Sequence, residues 1–203
     1  MSDTQSQISL AVLAGGKARR MGGDDKGLVT IAGKAMIEHV LAKYAPKVAD
    51  VQIIANRNQD KYQAFGHPVY GDQMEGFQGP LAGMRTALSH CQTPLLLVVP
   101  CDAPMLPDDL IERMHQQMET EQSDIAVACD EQREHSVVLM MRRTVLESLD
   151  EFLSNGDRKI LLWYNQRPLS KVMFSGLSNA FANINTVEQL SELEPQLQSK
   201  KDS

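Results

Sequence analysis

Between Leu13 and Gly27 the chain reads LAGGKARRMGGDDKG, with five glycines, four basic side chains and two adjacent aspartates in fifteen residues. Glycines let backbone N–H groups approach anionic oxygens closely and take positive φ at little cost. Lys17, Arg19, Arg20 and Lys26 add charge that can neutralise a polyphosphate. The chemistry that these types in this order suggest is the cradling of a nucleoside triphosphate. Asp24 and Asp25 either pair with those bases or restrain the loop. A plain surface loop with solvated bases is the competing reading.

Two further aspartates stand where strands should end, and a pair of amides precedes the last expected helix. Asp102 follows LLLVVPC, and a carboxylate there would suit Mg²⁺, which favours hard oxygen ligands and bridges to phosphate oxygens; a turn-forming aspartate before Ala103-Pro104 is the alternative. Asp72 ends PVYG, where a turn aspartate is equally in place. In NIN, Asn183 and Asn185 point the same way if that stretch is extended, and can then hydrogen-bond a polar ring; the alternative is that one of them bonds its own backbone in a turn. GPLAG, from Gly79, either lets a planar base lie against its backbone or packs a helix start closely on a sheet. Asp108 and Asp109 belong with the first turn of a helix, where the macrodipole favours acids.

The familiar alternatives are excluded by pattern. Gly33-Lys34 is followed by Ala35, so there is no phosphate-binding G-x-x-x-x-G-K-[ST], and no G-x-G-x-x-G follows the first strand. His39, His90 and His115 fall in helical stretches without an H-E-x-x-H partner, and no G-x-S-x-G elbow supports a hydrolase. Cys91, Cys101 and Cys129 are widely spaced, suit a reduced compartment and read as small buried hydrophobes.

These residues need a scaffold, and the apolar pattern supplies one. Strands are expected at Ile8–Leu13, Val51–Ile54, His67–Tyr70, Leu95–Val99, Ile125–Cys129, Ser136–Met141 and Val172–Phe174. Helices are expected at Ala35–Tyr44, Gln59–Phe65, Gly79–His90, Pro107–Glu119, Arg143–Asn155, Lys159–Asn165 and Val187–Leu193, the last capped by Thr186 with Gln189. LLLVV lacks alternation, as a strand covered on both faces should. Strands separated by helices imply an α/β class: a three-layer α/β/α sandwich with a Rossmann-like, mostly parallel sheet and an antiparallel insertion near Ser136–Met141. In such sheets ligands collect beyond the carboxyl ends of the strands, which is where the Leu13 loop begins. At 203 residues the chain is expected to form one domain over 1–203, with 1–7 and 195–203 as frayed tails. A net charge of −6 argues against a general nucleic-acid surface. The absence of a long apolar run or secretory signal leads to an expectation of no membrane partner and a cytoplasmic location.

The glycine stretch resembles the nucleotidyltransferase signature, L-x-A-G-G or L-A-G-G followed by R-M-G-x-x-K, and more closely that of the molybdenum cofactor guanylyltransferases. The likeness continues through GPLAGM (Gly79–Met84), PCDAP (Pro100–Pro104) and FANINTVEQL (Phe181–Leu190). It implies transfer of GMP from GTP, with Mg²⁺, to the phosphate of molybdopterin cofactor. It implies nucleotide contact at Leu13, Ala14, Gly15, Gly16, Lys26, Asp72, Gly79, Pro80, Leu81 and Asp102. Catalytic roles fall to Asp102, Lys26 and Arg20, the metal to Asp102, and the pterin side to Asn183 and Asn185, with Arg158 and Lys159 near the pterin phosphate or simply a solvated helix start. Transient contact with molybdenum-insertion proteins or acceptor enzymes is also implied. Two departures stand out: the relative most resembled has an asparagine where this chain has Ile54, with Asn56 two positions on, and the family's D-H-P segment is EHS here (Glu134–Ser136). Cytidylyl transfer to the same acceptor, and a non-catalytic carrier or insertion factor, are the alternatives.

Overall fold

The structure is a computed structural model and describes residues 4–14, 25–72, 79–182 and 184, with isolated positions at 189 and 195. Along the chain run β1 (Ile8–Leu13), β2 (Thr30–Ile31), β3 (Lys34–Ala35), α1 (Met36–Tyr44), β4 (Asp50–Ile54), α2 (Gln59–Gln63), β5 (Val69–Tyr70) and α3 (Pro80–His90). Then follow β6 (Leu95–Pro100), α4 (Leu110–Glu121), β7 (Ile125–Cys129), β8 (Glu134–Arg142), α5 (Leu146–Ser154), α6 (Ile160–Tyr164) and β9 (Leu169–Met173). Seven strands form one sheet in the order β5-β4-β1-β6-β8-β7-β9, while β2 and β3 make a separate hairpin. Among the described residues only β8 runs antiparallel to its neighbours in this sheet, β6 and β7. It is the insertion expected near Ser136–Met141.

The two parities of the continuous apolar strands feed two cores. Leu97 and Val99 of β6 join Leu10 and Val12 of β1 on the face covered by α1 and α4. Leu96 and Val98 join Ala11 on the other face, under Leu81, Met84 and Leu88 of α3 and Phe152, Trp163 and Tyr164 of α5 and α6. Each fully buried Val or Leu contributes about 1.5–3 kcal/mol. The absence of alternation in LLLVV is therefore the mark of a strand with no solvent face.

Three boundaries differ from expectation. The helix expected from Pro107 begins at Leu110, because the Pro107 carbonyl is spent on Leu110 N–H (3.2 Å) and on the Tyr44 hydroxyl (2.7 Å). Asp109 is thus the residue before the helix rather than part of its first turn, and Asp108 pairs with Lys43 at 3.3 Å. β9 starts at Leu169, before the expected Val172, because polar Ser170 is carried inward and its hydroxyl bonds Ser123 at 2.7 Å. The β2–β3 hairpin was not expected; its turn residues Ala32 and Gly33 both take positive φ, 49° and 77°, as a tight two-residue hairpin turn requires. Alanine there hides the usual turn signal. The helix expected over Val187–Leu193, its Thr186 cap and both tails fall almost wholly outside the described residues.

Candidate active site

The carboxyl ends of the central strands are kept in register one residue beyond the strands themselves. Cys101 N–H donates to the Leu13 carbonyl (3.0 Å), Ala14 N–H to Ile54 (2.8 Å) and Ala55 N–H to Tyr70 (2.9 Å). Each of these four strands therefore delivers its following loop to one edge. From that edge emerge the Ala14 loop, Asn56–Asn58, Gly71-Asp72 and Asp102.

Asp102 meets Lys26 at this edge. The Lys26 ammonium lies 3.0 Å from Asp102 Oδ2, with the two side chains 20% and 11% exposed. Among the described residues this is the one hydrogen bond that the Asp102 carboxylate accepts. Its backbone is fixed more fully: the Asp102 carbonyl accepts Ile184 N–H at 3.0 Å, and Ile184 is buried among Ile31, Ala32 and Met36 of the hairpin and α1. The turn after Asp102 is buttressed by α1, whose Lys43 ammonium bonds the Leu106 carbonyl at 2.5 Å. The pair is thus a rigid carboxylate matched by one flexible cation, with coordinating capacity left over.

Lys26 is delivered by a short 3₁₀ turn, Lys26–Leu28, that is anchored on both sides. Asp25 is buried and its carboxylate accepts the Tyr62 hydroxyl (2.5 Å) and the Asn58 amide (3.3 Å). Of the two roles open to Asp25, restraint of the loop is the one the described contacts display. Gly27 has no room for a side chain: a Cβ would sit 2.5 Å from Tyr62 Oη and 3.1 Å from Cys101 Sγ. Burial first, then the nearby Cys101 and Asp25, pushes the Tyr62 phenol well above its ordinary range, so it remains a donor. Cys101, pushed up by burial and then by Asp102, stays a neutral thiol, and all three cysteines are free and buried.

Asp72 sits half-buried at the end of β5, with its N–H donating to Asn56 Oδ1 at 2.6 Å. This joins the ends of β4 and β5. Ile54 is buried, in contact range of the Cβ position of Gly83, so it faces the sheet–helix packing and not the edge. Gly79 takes φ 72°, ψ −168°, a conformation for glycine, and Pro80 then opens α3. Gly83 brings the first turns of α3 against Leu13 and Ile54, and the Leu81 side chain is in the core. What these residues can offer at the edge is therefore backbone: the first-turn N–H groups of α3 have no partner inside the helix.

A second polar cluster lies where β7 turns into β8. Asp130 Oδ1 accepts the N–H groups of Gln132 and Arg133, both at 2.8 Å, and its Oδ2 is 2.9 Å from His135 Nε2. The His135 ring stacks on Phe181 with centroids 4.4 Å apart. Burial alone would raise the Asp130 carboxyl, but the Arg133 and Gln132 amides and His135 outweigh it and hold it down at about 2.

The structure thus brings together Leu13, Ala14, Lys26 and Asp102, with Asp72 and the Gly79-Pro80-Leu81 helix start on the neighbouring strand ends. Gly15, Gly16, Arg20, Asn183 and Asn185 lie outside the described residues. Arg158 is turned to its own chain, bonding the Leu153 and Asp157 carbonyls at 2.7 Å each. Sequence reasoning missed Tyr62, Asn58 and Asp130. Tyr62 and Asn58 meet Asp25 from 37 and 33 residues away, so nothing local signals them, whereas Asp130 reads locally as an ordinary turn aspartate.

The mixed, mostly parallel sheet flanked by helices, with a lysine–carboxylate pair at its carboxyl edge, is the nucleotidyltransferase α/β fold. Comparison with known proteins agrees. Residues 10–182 match the model of the MobA-like NTP transferase domain, and the chain belongs to that family. It is 49% identical over 187 residues to the molybdenum cofactor guanylyltransferase of Shewanella amazonensis, a span of 92% of this chain and 95% of the relative. In fold it is similar to molybdopterin-guanine dinucleotide biosynthesis protein A from Archaeoglobus fulgidus, with a TM-score of 0.75 at 23% identity, covering 94% of this chain and 99% of that one. It is also similar to CMP:2-keto-3-deoxy-manno-octonic acid synthetase complexed with CTP, with a TM-score of 0.73 at 16% identity, covering 96% and 100%.

Proposed function

We propose that this protein is a molybdenum cofactor guanylyltransferase: it transfers GMP from GTP to the phosphate of molybdopterin cofactor and releases pyrophosphate. The observation that carries the reading is the Lys26–Asp102 pair at the edge where four strand ends converge. The guanylyltransferase relatives supply the substrates.

The acceptor phosphate oxygen attacks the α-phosphorus in line; the new P–O bond forms as the α–β bridging bond breaks, and its electron pair leaves with pyrophosphate. The nucleophile is already anionic at neutral pH, so no strong base is required. Catalysis rests on alignment and on neutralising developing charge. Lys26 is a cation at that edge, with Arg20 as a second. The N–H groups of the glycine loop at Gly15 and Gly16 and of Gly79 and Leu81 at the helix start position the nucleotide, Leu13, Ala14, Pro80 and Asp72 line its site, and Asn183 and Asn185 receive the pterin.

Mg²⁺ fits the residues present. It is commonly held by one or two carboxylates together with substrate phosphates, rather than by an all-protein cage. Asp102 offers one hard carboxylate with spare lone pairs, and the described residues contain no group of three or more His, Cys, Asp or Glu that would form a cage. Asp102 would hold the ion, which when bound supplies charge neutralisation at the phosphates.

Among the described residues no helix is long and apolar enough to cross a membrane. Three unpaired thiols support a reducing, cytoplasmic setting. Transient handover of the product to insertion proteins or acceptor enzymes belongs to the same reading.

The test is a turnover assay with molybdopterin cofactor, Mg²⁺ and GTP and CTP in competition. The guanine dinucleotide and pyrophosphate are the expected products. Preference for CTP would make the protein a cytidylyltransferase, and cofactor binding without pyrophosphate release would make it a carrier.

A further inference from the structure

We propose that Tyr62 is a positioning residue for the transfer, its hydroxyl on Asp25 fixing where Lys26 can reach. The inference rests on the nucleotidyl-transfer reading above and concerns what sets its cation. A lysine ammonium rides on a flexible four-carbon stem, so its aim depends on how firmly its own backbone is held. Here one atom touches the chain on either side of Lys26. Tyr62 Oη donates to the buried Asp25 carboxylate at 2.5 Å and also occupies the space beside Gly27 where a Cβ would stand. The far side of Gly27 is closed by Cys101 Sγ, and Cys101 is the residue before Asp102. The stack Asp25, Tyr62 hydroxyl, Gly27, Cys101 therefore sets the offset between the two backbones that carry Lys26 and Asp102.

Two observations set Tyr62 apart from a tyrosine held by packing alone. The ring is wholly buried, so the hydroxyl touches no substrate; yet a carboxylate has been taken out of water to receive it, which is costly unless the pair is needed. Asn58, held at φ 52°, adds a second donor to the same carboxylate from the loop that leads into α2. The phenol, kept protonated by burial, donates at every working pH.

The test is a double-mutant cycle in the turnover assay with GTP, Mg²⁺ and molybdopterin cofactor, run well below each variant's melting temperature. Tyr62→Phe keeps the buried ring and removes only the hydroxyl. It is expected to lower kcat about tenfold, in the range for groups that orient a working residue, and to leave the KM for the acceptor unchanged. Added to Lys26→Ala, the same change should cost less than about twofold, because its effect passes through Lys26. Asp25→Asn, which keeps an acceptor oxygen, should recover most of the activity that Asp25→Ala loses. If Tyr62→Phe does not fold, the Asp25 pair tests the same hydrogen bond from the other side, again against Lys26→Ala. Unchanged kcat in Tyr62→Phe overturns the inference, and so does a tenfold loss that is additive with Lys26→Ala. A wild-type enzyme that transfers no nucleotide fails the functional reading instead, before any variant is compared.

Discussion

Two parallel strands, β6 and β7, each end in an aspartate at the same edge of the sheet, and the two carboxylates are finished in opposite ways. Asp130 is saturated by two backbone N–H groups and His135, its side chain 3% exposed, and its ring partner leans on Phe181. Among the described residues Asp102 accepts one side-chain hydrogen bond, from the Lys26 ammonium. A buried carboxylate with three donors can hold a turn but offers little to a ligand; one with a single described partner keeps lone pairs for a cation. Position at a strand end makes both available, and only their remaining coordination separates function from structure.

That contrast can be broken by substitution. The largest effect is expected from Asp102→Ala, which should lower kcat about 10²–10³-fold while the melting temperature stays close to wild type. Lys26→Ala follows, with a loss of about tenfold to a hundredfold that grows as MgGTP is lowered, since it removes charge from the phosphates and leaves Asp102 uncompensated. Gly27→Ala should cost about tenfold in turnover, because its Cβ must displace the Tyr62 hydroxyl or Cys101. Asp130→Asn reverses the pattern: turnover within about twofold of wild type, with a melting temperature lower by several degrees, because the turn's anionic acceptor is gone.

The pH dependence of stability sharpens the same point. Asp130 is held down at about 2 from its usual 3.8. An acid whose pKa is lower in the folded state binds more protons when unfolded, so its contribution is complete above 3.8 and lost as the pH falls through about 2. Glu134 is also held below its usual range, by Lys171 and then the Tyr164 hydroxyl, and adds to the same acid limb. Acid unfolding followed by circular dichroism should show this limb in wild type and a weaker one in Asp130→Asn.

How much was legible in the sequence follows the same division. The central strands β1, β6 and β7 were visible because a strand covered on both faces is continuously apolar, as LLLVV is. The β8 insertion was visible as a run that alternates less clearly. The candidate site was legible where the chain announces itself locally, in the glycine stretch and in a carboxylate after a buried strand. It was not legible where partners are distant. Tyr62 looks like a core aromatic of α2 until Asp25 is brought to its hydroxyl, and Asp130 looks like any turn aspartate until His135 arrives across the hairpin. Ile54 reads as a lost polar contact in sequence; in space it is a core residue packed at Gly83, and Asn56 is the amide that reaches the edge, on the Asp72 N–H.

The central claim is that the carboxylate with spare coordination, Asp102, is the metal–nucleotide ligand, and that its saturated counterpart is not. The most direct measurement is Mn²⁺ binding in the presence of GTP, followed by electron paramagnetic resonance, in the wild type, Asp102→Asn and Asp130→Asn. The account predicts GTP-dependent Mn²⁺ binding that is at least about tenfold weaker in Asp102→Asn and unchanged in Asp130→Asn. Wild-type affinity in Asp102→Asn, or a loss confined to Asp130→Asn, would contradict it.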